Sequence, residues 1–472
     1  MKKFLAVILA VILTFSVFVI SPSAYSTQKL TQEEWDTLYD SLKDGNTLPM
    51  LCVGADETKL GLVWHAPKDT AKAEVRLAKS ADMADYVLFE GFTEPADNEK
   101  QVICRVDISG IEENTTYFYQ WYTGTEWSES YEYRSHSADS YKMMVIGDIQ
   151  IGGQTDSAEK QSEDGYTWQS VLSEAMSKNP DISFLLSPGD NTSTGQGDSE
   201  WQTLLMPSLT RNLPMALAIG NHDKKGMKYD YFTHMPNEYY GEYFTGLDRD
   251  FYFRYGDVLY LVFDATSASA ADHMAMAKKA VEENKDAKWR IAVMHQALFG
   301  PGYGNIDPET GILLNAVFTP IFDSYDIDLV LTGHSHLQGR SHFMYESSVV
   351  GKAESGKAYV NPRGTIYLNS NAVCDHDSFT LPLPHVAYEF KENDVTTYTT
   401  IEFYEDTMKI KTFRGDNSEL LDEISIIKND DEKKEDNFLN VLHRFFYKFV
   451  EFCGRIYQEI DKIVVANRGG HF

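Results

Sequence analysis

Between about Pro49 and Ser140, apolar positions recur at every second residue. Leu60, Leu62 and Trp64 form one such run, and Ala73, Val75 and Leu77 another. Val102, Cys104, Val106 and Ile108 follow, then Tyr117, Tyr119 and Trp121. Successive side chains of an extended strand point to opposite faces, so this period predicts strands with one face in a core. Asp56 to Thr58, Pro95 to Asn98 and Glu112 to Asn114 separate the runs as turns. Short strands at this spacing predict an antiparallel β-sandwich. A short helix is expected ahead of it. Thr31 to Glu34 reads as a capping box, and Trp35, Leu38 and Leu42 continue at helical spacing.

From Tyr141 the pattern becomes strand, helix, strand, with apolar runs ending at Asp148, Asp190, Gly220, Asp264, His295 and Gly333. Trp168, Val171, Leu172, Ala175 and Met176 share one face of a predicted helix, and Trp201, Leu204 and Leu205 mark another. Pro320 to Tyr325 is expected to open a third, with the proline in its first turn. This is an α/β layered domain. Its later strands, Thr365 to Leu368, Thr399 to Tyr404 and Met408 to Phe413, are expected to form a second sheet closing a sandwich. The reading divides the chain at 26, 140 and 415.

The two ends read differently. Met1-Lys2-Lys3, an apolar stretch from Phe4 to Ile20 and the small residues Ala24 and Ser26 form a signal-peptide pattern, with Thr27 first after cleavage. An uncleaved anchor is the alternative, since the stretch is near spanning length. Export makes the protein secreted or cell-surface. Past a charged linker from Asn429 to Asn437, Leu439, Leu442, Phe446, Phe449, Cys453, Ile456, Ile460 and Ile463 follow three-four spacing. This C-terminal helix is expected to dock on its own protein, to self-associate, or to lie on a membrane surface through Arg444, Lys448, Arg455 and Lys462.

Composition narrows the function classes. The net charge of -29 over 472 residues excludes non-specific nucleic-acid binding. A hydrophobic fraction of 43% excludes a disordered chain. The four cysteines, Cys52, Cys104, Cys374 and Cys453, match no zinc spacing, and Cys52 and Cys104 are either bridged or free and buried.

Chemistry collects at the ends of the apolar runs. Asp148 and Asp190 offer carboxylates, Asn221 an amide oxygen, and His222, His295, His334 and His336 imidazoles. Such donors suit Zn, Mn or Fe(II) rather than Ca or Cu(I). Glycine precedes four of these groups, as a sharp turn beside an ion requires. The pattern as a whole is a two-metal site.

The order Gly-Asp, Gly-Asp, Gly220-Asn221-His222-Asp223, a lone His295, and Gly333-His334-Ser335-His336 resembles the calcineurin-like metallophosphoesterases. With a sandwich in front, the chain is similar to the purple acid phosphatases in particular. Ile111 to Tyr119 also resembles the corner of fibronectin type III modules, where a tyrosine hydroxyl bonds back to the backbone. The resemblance implies a four-layer α/β/β/α sandwich and a phosphoester hydrolase with two divalent or mixed-valence ions of Fe, Zn or Mn. It implies that Asp190 bridges both ions, that Asp148 and His336 complete one site, and that Asn221, His295 and His334 hold the other. A hydroxide between the ions would attack phosphorus, with His222 protonating the leaving oxygen and Asp223 orienting it.

Three departures bear on these expectations. Ser193 stands where purple acid phosphatases place a tyrosine, so no tyrosinate-to-iron colour is expected. Gln150 stands where other members carry a histidine, leaving an amide oxygen as ligand or a weaker site. Gly304 and Asn305 occupy the substrate-loop histidine positions. Tyr239, Tyr240, Tyr243 and Phe244 could line a pocket, and Arg340 is the nearest further phosphate contact. The expected activity is a secreted, acid-phosphatase-like phosphomonoesterase acting on small phosphoesters. The alternatives are a phosphodiesterase or nucleotide hydrolase of the same fold, or a non-catalytic binding module whose metal site has decayed.

Overall fold

The alternating segment does form a sandwich, but one of its two sheets does not stop at the domain boundary. Strand Met50–Val53 pairs antiparallel with Lys59–Pro67 on one side and parallel with Met215–Leu217 on the other, through Cys52 and Met215. Lys59–Pro67, Gln101–Ser109 and Phe92–Pro95 therefore extend a sheet of eleven strands whose middle is Tyr141–Val145, Ile182–Ser187 and Met215–Leu217. This computed structural model describes residues 29–429 apart from 154–156, 242–248, 268, 302–307, 375–382 and 393–394. The leader, the C-terminal stripe, Tyr243, Phe244, Gly304, Asn305 and Cys453 lie outside the described residues.

The shared sheet explains a burial pattern that alternation alone does not. Leu60, Leu62, Trp64 and Ala66 face the four-stranded partner sheet, against Val75, Leu77, Tyr119 and Trp121. Val63 and His65 are buried on the opposite face, Val63 in the large core and His65 at 4.5 Å from the Phe232 ring. Cys52 and Cys104 are free thiols entering these two different cores, so no bridge joins them. At the sandwich corner the Tyr117 hydroxyl accepts the Glu112 N–H at 2.8 Å, as expected. The capping box at Thr31 and Glu34 starts helix Gln32–Leu42, and Trp35 anchors it by donating to the Ser162 carbonyl at 2.8 Å.

A second sheet of seven strands faces the first, with Phe251–Tyr255, Val258–Phe263, Trp289–Met294, Leu329–Thr332 and Ile366–Asn369 in consecutive positions. Met143, Phe184 and Leu217 of the first sheet share one core with Tyr260, Ile291 and Leu331 of the second. Helices Ala158–Lys178 and Asp198–Leu205 cover the first sheet with the predicted apolar faces. Helices Ala270–Glu283 and Pro308–Ser324 cover the second, completing four layers. Two expectations are corrected. Thr397–Phe403 and Thr407–Arg414 join the first sheet beside Tyr141–Val145, while Ile366–Asn369 joins the second. Pro320 lies near the end of its helix instead of the start, because buried Val317, Phe318, Ile321 and Phe322 carry the helix past the missing N–H.

Candidate metal centre

Tyr141–Val145, Ile182–Ser187 and Met215–Leu217 run parallel, as do Trp289–Met294 and Leu329–Thr332 in the facing sheet. Loops leaving their carboxyl ends therefore share one rim, the place where open α/β sheets hold ligands. The backbone there is unusual. Asp148, Gln150, Asp190, His334 and His336 all have positive φ, between 44° and 69°. Non-glycine residues in that region cost on the order of 1 kcal/mol each, so neighbouring structure must hold them. It does so by hydrogen bonds between the loops. The Gln150 N–H donates to the Asp190 carbonyl at 3.0 Å, and the His334 N–H to the Asp148 carboxylate at 2.9 and 3.0 Å. Close backbone approach adds to this: a Cβ on Gly220 would sit 2.0 Å from Asp190 Oδ1, and one on Gly333 2.2 Å from Asp148 Oδ2.

Asp190, Asn221, His295 and His334 meet side chain to side chain. Asp190 Oδ2 lies 3.0 Å from His295 Nε2, and Asn221 Oδ1 lies 3.1 Å from the same nitrogen and 2.8 Å from His334 Nδ1. His295 Nε2 and His334 Nδ1 are 3.3 Å apart. The ligand atoms of Asp190, His295 and His334 all fall within 4.8 Å of one another. His295 Nδ1 donates to the Pro188 carbonyl at 3.2 Å, which leaves Nε2 a lone pair aimed at this group. Lone pairs of a carboxylate, an amide and imidazoles thus point at one spot, an arrangement that calls for a cation. Without an ion, a proton takes its place. Burial opposes charge on His295, but Asp190 reverses that and brings it up to about 9. Asp190 is likewise raised by burial and lowered more by His295, to about 2. Burial, then the charge on His295, holds His334 down at about 3.

The other three residues are brought to the same rim more loosely. Asp148 is fully buried, and His336 Nε2 stands 3.6 Å from its Oδ1. Gln150 is buried, with its backbone N–H on the Asp190 carbonyl. Burial pushes Asp148 up to about 6 against the pull of His295 and His336.

His222 is placed by backbone. Its N–H donates to Asp190 Oδ1 at 2.8 Å, and its Nδ1 meets the Ser193 carbonyl at 2.5 Å. Asp223 does not orient it, contrary to expectation. The Asp223 carboxylate accepts the N–H groups of Gly220, Asn191 and Thr192 at 3.0 Å, so it staples two loops together. Arg340 is also corrected. It is fully buried and pairs with Asp422 at 2.7 and 3.1 Å, away from the rim. Tyr239 belongs to the second-sheet core, and Tyr240, 64% exposed, bonds Glu238. The Pro188 and Ser193 carbonyls escape sequence reading because a backbone acceptor leaves no mark on residue identity.

Comparison with known proteins agrees with this architecture. Residues 141–338 match the model of the calcineurin-like phosphoesterase family, and residues 49–135 that of the purple acid phosphatase N-terminal domain. Purple acid phosphatase PPD1 from yellow lupin (Lupinus luteus) seeds superposes with a TM-score of 0.65 at 13% identity, covering 83% of this chain and 78% of its own. The structure of PhoD gives 0.53 at 12% identity, covering 88% and 98%. At such identities the likeness is one of fold. No curated protein sequence matches the chain. The chain thus carries a calcineurin-like phosphoesterase domain, of a family of phosphoester hydrolases, behind a domain of the purple acid phosphatase N-terminal kind, and its fold is that of the purple acid phosphatases.

Proposed function

We propose that the chain is an exported phosphomonoesterase working with two transition-metal ions. The observation that carries this is the convergence of Asp190, Asn221, His295 and His334 donor atoms at 2.8–3.3 Å, with His295 fixed by Pro188 so that its free lone pair faces the others. In this reading those four residues hold one ion. Asp148, Gln150 and His336 hold the second and share Asp190 with the first. The ions, when bound, supply Lewis acidity toward the phosphoryl group and a water made acidic enough to attack it.

The chain's own residues do the rest. The Ser193 carbonyl accepts a proton-bearing Nδ1 of His222, which leaves Nε2 to serve the ester oxygen. As water oxygen bonds to phosphorus, the ester P–O bond breaks, giving alcohol and phosphate. His222, acting as the doubly protonated imidazolium, passes its Nε2 proton to the departing alkoxide and keeps the one on Nδ1, and the proton released by the water restores it. Lys224 and Lys225 are exposed beside His222 and set positive charge at the mouth of an otherwise acidic protein, in keeping with an anionic substrate. Ser193 offers no phenolate, so iron-loaded protein is expected to lack a purple band.

Metal analysis with paired assays on an aryl phosphate monoester and diester tests the reading. About two ions per chain and faster monoester hydrolysis support it. Faster diester cleavage supports the diesterase alternative, which Gly304 and Asn305 in place of histidines favour. No ions under metal-replete conditions supports the non-catalytic one. Export is tested by sequencing the N-terminus of secreted protein, expected at Thr27.

A further inference from the structure

We propose that Glu200 is a positioning residue for His222, acting through the peptide unit that joins Ser193 to Thr194. This rests on the role of His222 proposed above. Glu200 belongs to helix Asp198–Leu205, on no metal-bearing loop, and is fully buried. A buried carboxylate needs strong partners, and both of its oxygens reach Thr194. Oε1 accepts the Thr194 N–H at 2.9 Å, and Oε2 accepts the Thr194 hydroxyl at 2.8 Å.

The consequence follows from peptide geometry. The Thr194 N–H and the Ser193 C=O belong to one planar trans unit, so they point in opposite directions. Fixing the N–H on Glu200 aims the carbonyl at His222 Nδ1, where it is found at 2.5 Å. The near side of this unit is pinned as well, by the Ser193 N–H donating to the Ile151 carbonyl at 2.9 Å. The loop has no slack, since a Cβ on Gly195 would lie 2.4 Å from the His222 carbonyl oxygen.

The aim matters because Nδ1 has a second suitor. Lys225 Nζ lies 3.3 Å from it. An ammonium can only donate and a carbonyl can only accept, so the two demand opposite proton placements. With the carbonyl aimed, Nδ1 keeps its proton and Nε2 is the nitrogen that exchanges one with the leaving oxygen. With the carbonyl released, Lys225 can donate to Nδ1 and the ring is free to turn.

Two readouts on the full chain test this. In metal-free protein labelled with 15N-histidine, His222 is expected as the Nδ1–H tautomer. Glu200→Gln keeps an acceptor for the Thr194 N–H and should retain it, whereas Glu200→Ala should shift it towards Nε2–H. In the metal-loaded enzyme, Glu200→Ala should slow an alkyl phosphate about tenfold or more, and a nitrophenyl phosphate less than about threefold, since only the poor leaving group needs the proton. Should Glu200→Ala fail to fold, Glu200→Met, similar in volume and lacking the acceptor, carries both measurements. An Nε2–H tautomer in the unmodified protein, or an unchanged alkyl-to-aryl ratio in the variants, overturns the proposal. His222→Ala separates the two levels. If it slows both esters equally, the acid role of His222 falls, while the tautomer measurement still decides whether Glu200 aims the ring.

Discussion

The two halves of the proposed centre stand on one rim and are carried by the same kind of left-handed loop residue, yet they are finished to different degrees. Around His295 the donor atoms are already at 2.8–3.3 Å from one another, and a carbonyl fixes the ring. Around Asp148 the nearest imidazole stands at 3.6 Å, and the remaining ligand expected there is the neutral amide of buried Gln150. The first half has a counter-charge of its own, because Asp190 and His295 sustain each other. The second half keeps a carboxyl that burial raises to about 6. Preorganisation here is a matter of which lone pairs are already crowded together, and it predicts one tight ion and one weak one.

Removing what the halves share should have the largest effect. Asp190→Ala is expected to abolish stable binding of both ions and lower kcat/KM by about a thousandfold or more, above the 10–100-fold typical of outer-shell partners. Metal analysis of the purified variant checks it, and retention of one tightly held ion would break the idea of a shared carboxylate.

Next in size is the response of metal-free protein to pH. Asp148 rises to about 6 from its ordinary 3.8, so it binds its proton more firmly folded than unfolded. Stability from this group is present below about pH 4 and lost as pH rises through 6, on the order of 3 kcal/mol. The other half holds steady across that window. His295, raised to about 9, stabilises fully below 6.5 and loses that only as pH rises through 9, and Asp190 loses its share only as pH falls towards 2. Urea unfolding between pH 4 and 6 should therefore slope downward. Asp223 and Asp323, which burial raises to about 6 and about 7, add slope of the same sign, so Asp148→Asn should make it shallower without removing it.

A smaller effect would sharpen the contrast directly. Calorimetric titration with Zn or Mn is expected to show two steps, and Gln150→His should tighten only the weaker one, by about tenfold, since an imidazole is a better ligand than an amide. The smallest expected change is at Arg340. Arg340→Met should leave metal stoichiometry and kcat within about twofold, because its buried partner is Asp422, while thermal stability responds to the orphaned carboxylate.

Much of this was legible before any coordinates. Asp148, Asp190, Asn221, His295, His334 and His336 each follow an apolar run, and parallel strands leave no choice but to deliver them to one edge. The faces of Ala158–Lys178 and Asp198–Leu205 followed from three-four spacing, and the Tyr117 corner from its turn residues. What failed has physical reasons. Charges next to a motif do not reveal which way they face, so Asp223 and Arg340 were drawn towards the chemistry when one staples loops and the other fills the interior. Strand Thr397–Phe403 is buried on both faces, so no alternation reveals which sheet it enters. Pairing of Cys52 with Met215 joins segments distant in the chain, and no local pattern encodes it.

That pairing has a practical outcome. Cutting the chain before Tyr141 would strip Met215–Leu217 of its outer neighbour and leave a row of bare amides and carbonyls, ready to add strands from other molecules. The N-terminal module thus serves as a lid on a sticky seam, and a shortened version should clump where the whole protein stays dispersed.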